Sequence, residues 1–190
     1  MKIFNEQAEL LGTEKLMAYI SEHFHLNARE RLGAISDHLH TAEKVDAALH
    51  PEVGPIRDLF EEFRTTLLGH IEQEEFILFP FIRKLNEARA DDKSAVDEAE
   101  VRMIENPVRQ LAAGWGRLAD MMDALHRHSS GFRTHINSSP TLKQCYRELS
   151  VLHSDLREYM HLEKDILFPT VLELEEELLA RNDKLKNDKT

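Results

Sequence analysis

Between Pro55 and Asn86 the positions Ile56, Phe60, Phe63, Leu67, His70, Glu74, Ile77 and Phe81 follow one another at steps of four and three. That is the rhythm of one buried face on an α-helix. The same rhythm carries His25, Ala28, Leu32, Ile35, Leu39, Ala42, Asp46 and Leu49, and His50-Pro51 ends it, because the residue before a proline is driven out of the helical region. A third stripe, Leu111, Trp115, Leu118, Met122 and Leu125, stops at HSSG, residues 128–131. The fourth runs from Thr141 to the neighbourhood of Arg181 and places Leu142, Cys145, Leu149, Leu152, Leu156, Tyr159, Glu163 and Ile166 inward. Polar connections at 50–55, 86–95 and 128–140 separate the stripes, so the simplest fold is an all-α, up-down-up-down four-helix bundle. Residues 1–24 precede the first stripe, and LMAYISEHF, 16–24, is predicted as a short helix capping one end. The bundle is expected over 25–182, and 183–190 as a disordered, solvated tail.

Composition agrees with one helical domain. Among 190 residues there are only seven Gly and six Pro, and no stretch alternates β-branched and polar residues as a strand would. With 42% hydrophobic residues the chain can build a core and with 31% charged residues it can cover it. A net charge of −11 argues against nucleic acid or an anionic membrane surface as partner, since both would repel it. The longest apolar run, Phe76 to Ile82, is too short to span a bilayer, and MKIFNEQAEL lacks the apolar core of a signal peptide. The cytoplasm is the expected compartment. Cys145 is the only cysteine, so an intramolecular disulfide is excluded and a metal site would have to use nitrogen and oxygen ligands.

The chemistry lies in a repeat. HIEQEEFILFP at 70–80 returns as YMHLEKDILFP at 159–169, with Glu74 and Glu163 in register and Tyr159 standing where the first copy has His70. Glu74 and Glu163 fall on inward stripes where packing alone would select Leu. A buried, isolated carboxylate costs several kcal/mol or more, so these must be paired, protonated or bound to a cation. His70 and Glu74 stand one turn apart on one helix face and can converge on a single ion. In an up-down bundle His25, His70/Glu74 and Tyr159/Glu163 share one level near one end. His50, His126, His128 and His135 belong to the other end, while His38, His40 and His153 lie mid-bundle or at stripe edges; all seven read as surface or helix-end residues. His161 lies about 140° off the inner face and is a weak ligand candidate. Pro80 and Pro169 are expected to bend or end their helices just past the site and so shape a lid.

These stretches, together with FHLNARERLGAI at 24–35, resemble the hemerythrin-like di-iron domain, specifically the repair-of-iron-centres proteins, over about residues 13–172. The resemblance implies a non-haem di-iron centre, held by histidines from four helices and bridged by two glutamates. It implies ligation by His25, His70, Glu74 and Glu163, reactivity with nitric oxide or peroxide, and a role in restoring damaged iron-sulfur clusters. Two positions depart from that pattern. The fourth helix carries Tyr159 in place of a histidine, and the third has no histidine near IENPVRQ, 104–110, where Asn106 and Pro107 stand. Tyr159 reads either as a phenolate ligand that favours ferric iron or as a core tyrosine with its hydroxyl on Glu163 or Glu74. Glu100, Glu105, Asn106, a water or a single-iron centre are the alternatives for the third helix. The 190 residues include no counterpart of the cysteine-bearing N-terminal domain of longer family members, so complete repair activity is not part of the expectation.

The expected function is therefore a cytoplasmic iron protein, using His25, His70, Glu74, Tyr159 and Glu163, that binds or reacts with O2, peroxide or nitric oxide. Damaged iron-sulfur proteins are its expected partners. The alternative is a helical bundle that has lost its metal and serves as an interaction or regulatory module. Manganese or zinc would also suit nitrogen and oxygen ligands, and no Ser or Cys is arranged with a base for nucleophilic catalysis.

Overall fold

The computed structural model describes residues 12–91 and 95–187. Helix α1 covers residues 12–20, a wider π turn at Ser21–His25 and the α-helical Leu26–Asp46. Helix α2 is built likewise from Val53–Gln73, a π turn at Glu74–Leu78 and Phe79–Ala90. A short α3, Glu98–Arg102, is capped by the Asp97 carboxylate accepting from Ala99 and Glu100 backbone N–H. Helix α4 is Glu105–His128, and α5 joins Pro140–His161, a π turn at Leu162–Leu167 and Phe168–Asn187. The fold is an all-α four-helix bundle with α1, α2, α4 and α5 as its long helices, and no strand occurs among the described residues.

The stripes are buried largely as the periodicity requires. All eight inward positions of α5 and all five of α4 are in the core. In α1 the stripe holds from His25 to Asp46, but Leu49 is exposed because the helix has ended at Asp46. His50, expected at the surface, is instead buried. The turn folds it back, its amide donating to Asp46 O at 2.8 Å, its Nε2 lying 3.3 Å from Ser138 Oγ and its Nδ1 3.2 Å from Glu52 Oε1.

In α2 the stripe breaks after Glu74. Ile77 is 52% exposed and Phe76 76%, whereas Leu78, Phe79, Ile82 and Leu85 are buried. The inner face of α2 thus passes from Glu74 to Leu78 rather than to Ile77, whereas in the matching π turn of α5 Ile166 and Leu167 are both buried. Nor do the prolines end their helices: α2 continues to Ala90 and α5 to Asn187. Just ahead of each proline the Phe79 amide donates to Glu74 O and the Phe168 amide to Glu163 O, five residues back. The widened turn removes the usual clash between a helical proline ring and the carbonyl four residues before it. The segment 16–24 is not a separate cap but runs without interruption into α1. Residues 183–187 are helical, and 188–190 lie outside the described residues, as does the start of the chain through residue 11.

Contacts divide the chain into two compact units. One takes the described residues up to Ile20 with Ile71–Ala113 and those from Met160 onward. Its core holds Met17, Ile82, Ile104, Leu111, Val171 and Leu178, and its polar ties include Thr13 to Asn86 and Asn182 to Val96 N and Glu98. The other takes Ser21–His70 and Gly114–Tyr159, with Leu32, Ile35, Phe60, Phe63, Trp115 and Leu149 in its core. There Asp46 is buried yet satisfied, accepting from Ser139 N at 2.9 Å and from Ser139 Oγ at 2.6 Å.

Candidate metal centre

Each of the three π turns carries one of the acidic or imidazole residues singled out above: His25 closes the first, Glu74 opens the second and Glu163 is the second residue of the third. A π turn sets its side chains at a wider angle than the α-helical spacing and is common where a side chain must be re-aimed at a site. Helix α4, which supplies no histidine at the level sought, has no such turn.

His70, Glu74 and Glu163 are all buried, the two carboxylates at 0% exposure. One ligating atom from each lies within 4.8 Å of those of the other two. Two carboxylates so close and so dry repel unless a proton or a cation stands with them. An imidazole nitrogen and two carboxylates form a hard-to-borderline donor set suited to a divalent or trivalent first-row cation. The residues present therefore fit a metal ion. His70, four residues before Glu74, sits on the same face one turn earlier.

His70 is held from α4. Trp115 meets it edge-on with ring centroids 4.5 Å apart, and a Cβ placed on Gly114 would come within 3.0 Å of His70 Nδ1. The glycine lets the α4 backbone approach the imidazole. Sequence patterning missed this pair, although the GWG of residues 114–116 is an available signal, since glycine inside a helix is tolerated only for a reason such as close approach. Glu100, Glu105 and Asn106, the alternative oxygen donors for the third helix, are all exposed. Glu100 pairs with Lys84 and Glu105 with Arg109.

Tyr159 is buried against a cage of rings. It stacks on Phe24 at 5.3 Å, meets Trp115 edge-on at 4.7 Å and His70 at 6.5 Å. Its hydroxyl lies 2.8 Å from His25 Nε2, a bond to an imidazole rather than the expected one to Glu163 or Glu74. Of the five sequence-predicted residues, then, three converge as potential ligands, and His25 and Tyr159 engage each other. His161 is not among the converging groups, and its Nδ1 lies 2.6 Å from Asp165 Oδ2.

Comparison with known proteins places this geometry. The profile of the Hemerythrin HHE cation binding domain matches residues 16–171. The chain is 24% identical over 163 residues to the iron-sulfur cluster repair protein ScdA of Staphylococcus epidermidis, covering 86% of this chain and 68% of that protein. Against ScdA of Staphylococcus haemolyticus the identity is 23% over 164 residues, 86% and 69% of the two chains. Against the iron-sulfur cluster repair protein YtfE of Edwardsiella ictaluri it is 27% over 162 residues, 84% and 66%. The matched span begins ahead of the first π turn and ends beyond the third, and with the helical order and the buried His/Glu cluster it assigns the chain to the hemerythrin HHE cation-binding family.

Proposed function

We propose that this protein holds a non-haem iron centre of two ions and uses it to bind or react with O2, peroxide or nitric oxide in the repair of damaged iron-sulfur clusters. The observation that carries this reading is the dry convergence of His70, Glu74 and Glu163. The names of the relatives, iron-sulfur cluster repair proteins, support iron as the cation and cluster repair as the role. Bound iron would supply the affinity for small diatomic or peroxide ligands and the change of oxidation state. The chain's own residues do the rest. Glu74 and Glu163 supply negative charge and oxygen donors, and His70 supplies a nitrogen whose ring is fixed by Gly114 and Trp115. His25 and Tyr159 complete the donor set, their mutual hydrogen bond holding both side chains inside the aromatic cage.

Elemental analysis and an optical spectrum of freshly purified protein test the proposal. Iron is expected in the wild type and is expected to be lost in His70→Gln and Glu163→Gln. A visible phenolate-to-iron band that disappears in Tyr159→Phe would support Tyr159 as a ligand. Iron without such a band would leave Tyr159 as the hydrogen-bond partner of His25, and protein that takes up no iron would refute the centre itself.

A further inference from the structure

A second feature lies outside the centre, in the unit that contains the end of α5. Between α3 and the first turns of α4 on one side and α5 on the other runs a groove of about 500 Å³, with Glu175 in its lining. Glu175 is 3% exposed and its Oε1 has no hydrogen-bond partner. Burial first, and the neighbouring Glu105 second, push its carboxyl above the usual range, with Arg102 acting in the other direction. It sits beside Val171, Leu174 and Leu178 on the inward side of α5, where a leucine would pack without cost in desolvation.

The surroundings narrow what could satisfy this carboxylate. Two guanidiniums line the groove, but Arg109 is turned to Glu105 at 3.8 Å, and neither it nor Arg102 forms an ion pair with Glu175 among the described residues. A bare metal ion is not favoured, since among the described residues only His70, Glu74 and Glu163 bring three ligating atoms together. An anion is disfavoured by three glutamates, 105, 175 and 176, against two arginines. What remains is a cation that brings its own hydrogen-bond donors and can lie on the apolar wall of Val108, Leu172 and Leu179. An ammonium group offers three N–H donors on a carbon chain, which suits both needs.

We propose that this groove is a binding site for a linear aliphatic amine in its ammonium form, anchored on Glu175 with the carbon chain along Val108, Leu172 and Leu179. Isothermal titration calorimetry with 1,4-diaminobutane tests it on the full chain. Saturable one-site binding is expected for the wild type, weakened by about tenfold or more in Glu175→Gln, the loss of one charge-assisted hydrogen bond. Glu177→Gln removes the same charge from an exposed position of the same helix outside the groove and is expected to bind as the wild type does. Leu172→Arg, which puts a cation on the half-buried wall, is expected to abolish binding and serves as the second variant should Glu175→Gln not fold. No saturable heat, or equal weakening in Glu175→Gln and Glu177→Gln, overturns the proposal, because the second result would mean only general attraction to a chain of charge −11.

Discussion

At the scale of single residues, the site is a set of choices that packing would not make. Glu74 and Glu163 occupy core positions with no exposure, and this was legible in the sequence because the apolar rhythm around them is regular enough to make a carboxylate stand out. Their cost predicts a measurable sign. In chelator-treated protein, replacing both by Leu is expected to raise stability to urea by about 1–4 kcal/mol, since packed apolar side chains replace buried charge; a fall instead would mean that the carboxylates hold the fold without metal. Cys145 shows the opposite kind of burial. Burial, then Glu148, pushes its thiol up to about 12, so the native protein is expected to resist thiol reagents at neutral pH and to react only on unfolding. The sign follows from the raised value: the unfolded thiol ionises near about 8.5, so the stabilisation is complete below that pH and is lost as pH rises from there through about 12. Thermal melts across that window, compared with Cys145→Ala, would read it. The partners of Tyr159 were not legible, because a hydroxyl's choice between His25 and a glutamate depends on where two helices bring their side chains, which spacing along one helix does not specify.

At the scale of elements, the repeat Glu-x-x-Ile-Leu-Phe-Pro encodes a π turn and not a helix end. In both copies the glutamate carbonyl accepts the amide five residues on, just before the proline, and the helix then continues. Four stripes and their connections could be read because each follows the α-helical period for several turns. The change of face after Glu74 could not, because a constant period extrapolates both Ile77 and its counterpart Ile166 inward, and only Ile166 is buried. Two substitutions separate the registers. Ile77→Ser is expected to change stability by no more than about 0.5 kcal/mol, as for an ordinary surface position. Leu78→Ala, at a fully buried site, is expected to cost about 2–5 kcal/mol. Urea unfolding of the two variants decides, and a reversed order would restore the uninterrupted stripe.

At the scale of the whole molecule, the matched span of residues 16–171 contains all three π turns and His70, Glu74 and Glu163, so a metal bound at that cluster would draw on the helices that form the bundle. A cation that binds only the folded chain adds its binding free energy to stability, about 2.7 kcal/mol at a hundredfold excess over Kd. For a chain of this length each kcal/mol moves Tm by about 2–4 °C, so ferrous iron under anaerobic conditions is expected to raise Tm by about 5–10 °C at that excess. The increment should grow with the logarithm of free iron and vanish in Glu163→Gln, which removes one of the two charges that attract the ion while keeping the side chain's shape. Iron also binds exposed carboxylates on a chain of charge −11, but such binding persists in the unfolded state and contributes little to the difference between the two states. A scanning-calorimetry series over iron concentration therefore distinguishes the buried centre from surface uptake: an increment equal in the wild type and in Glu163→Gln would place the metal elsewhere.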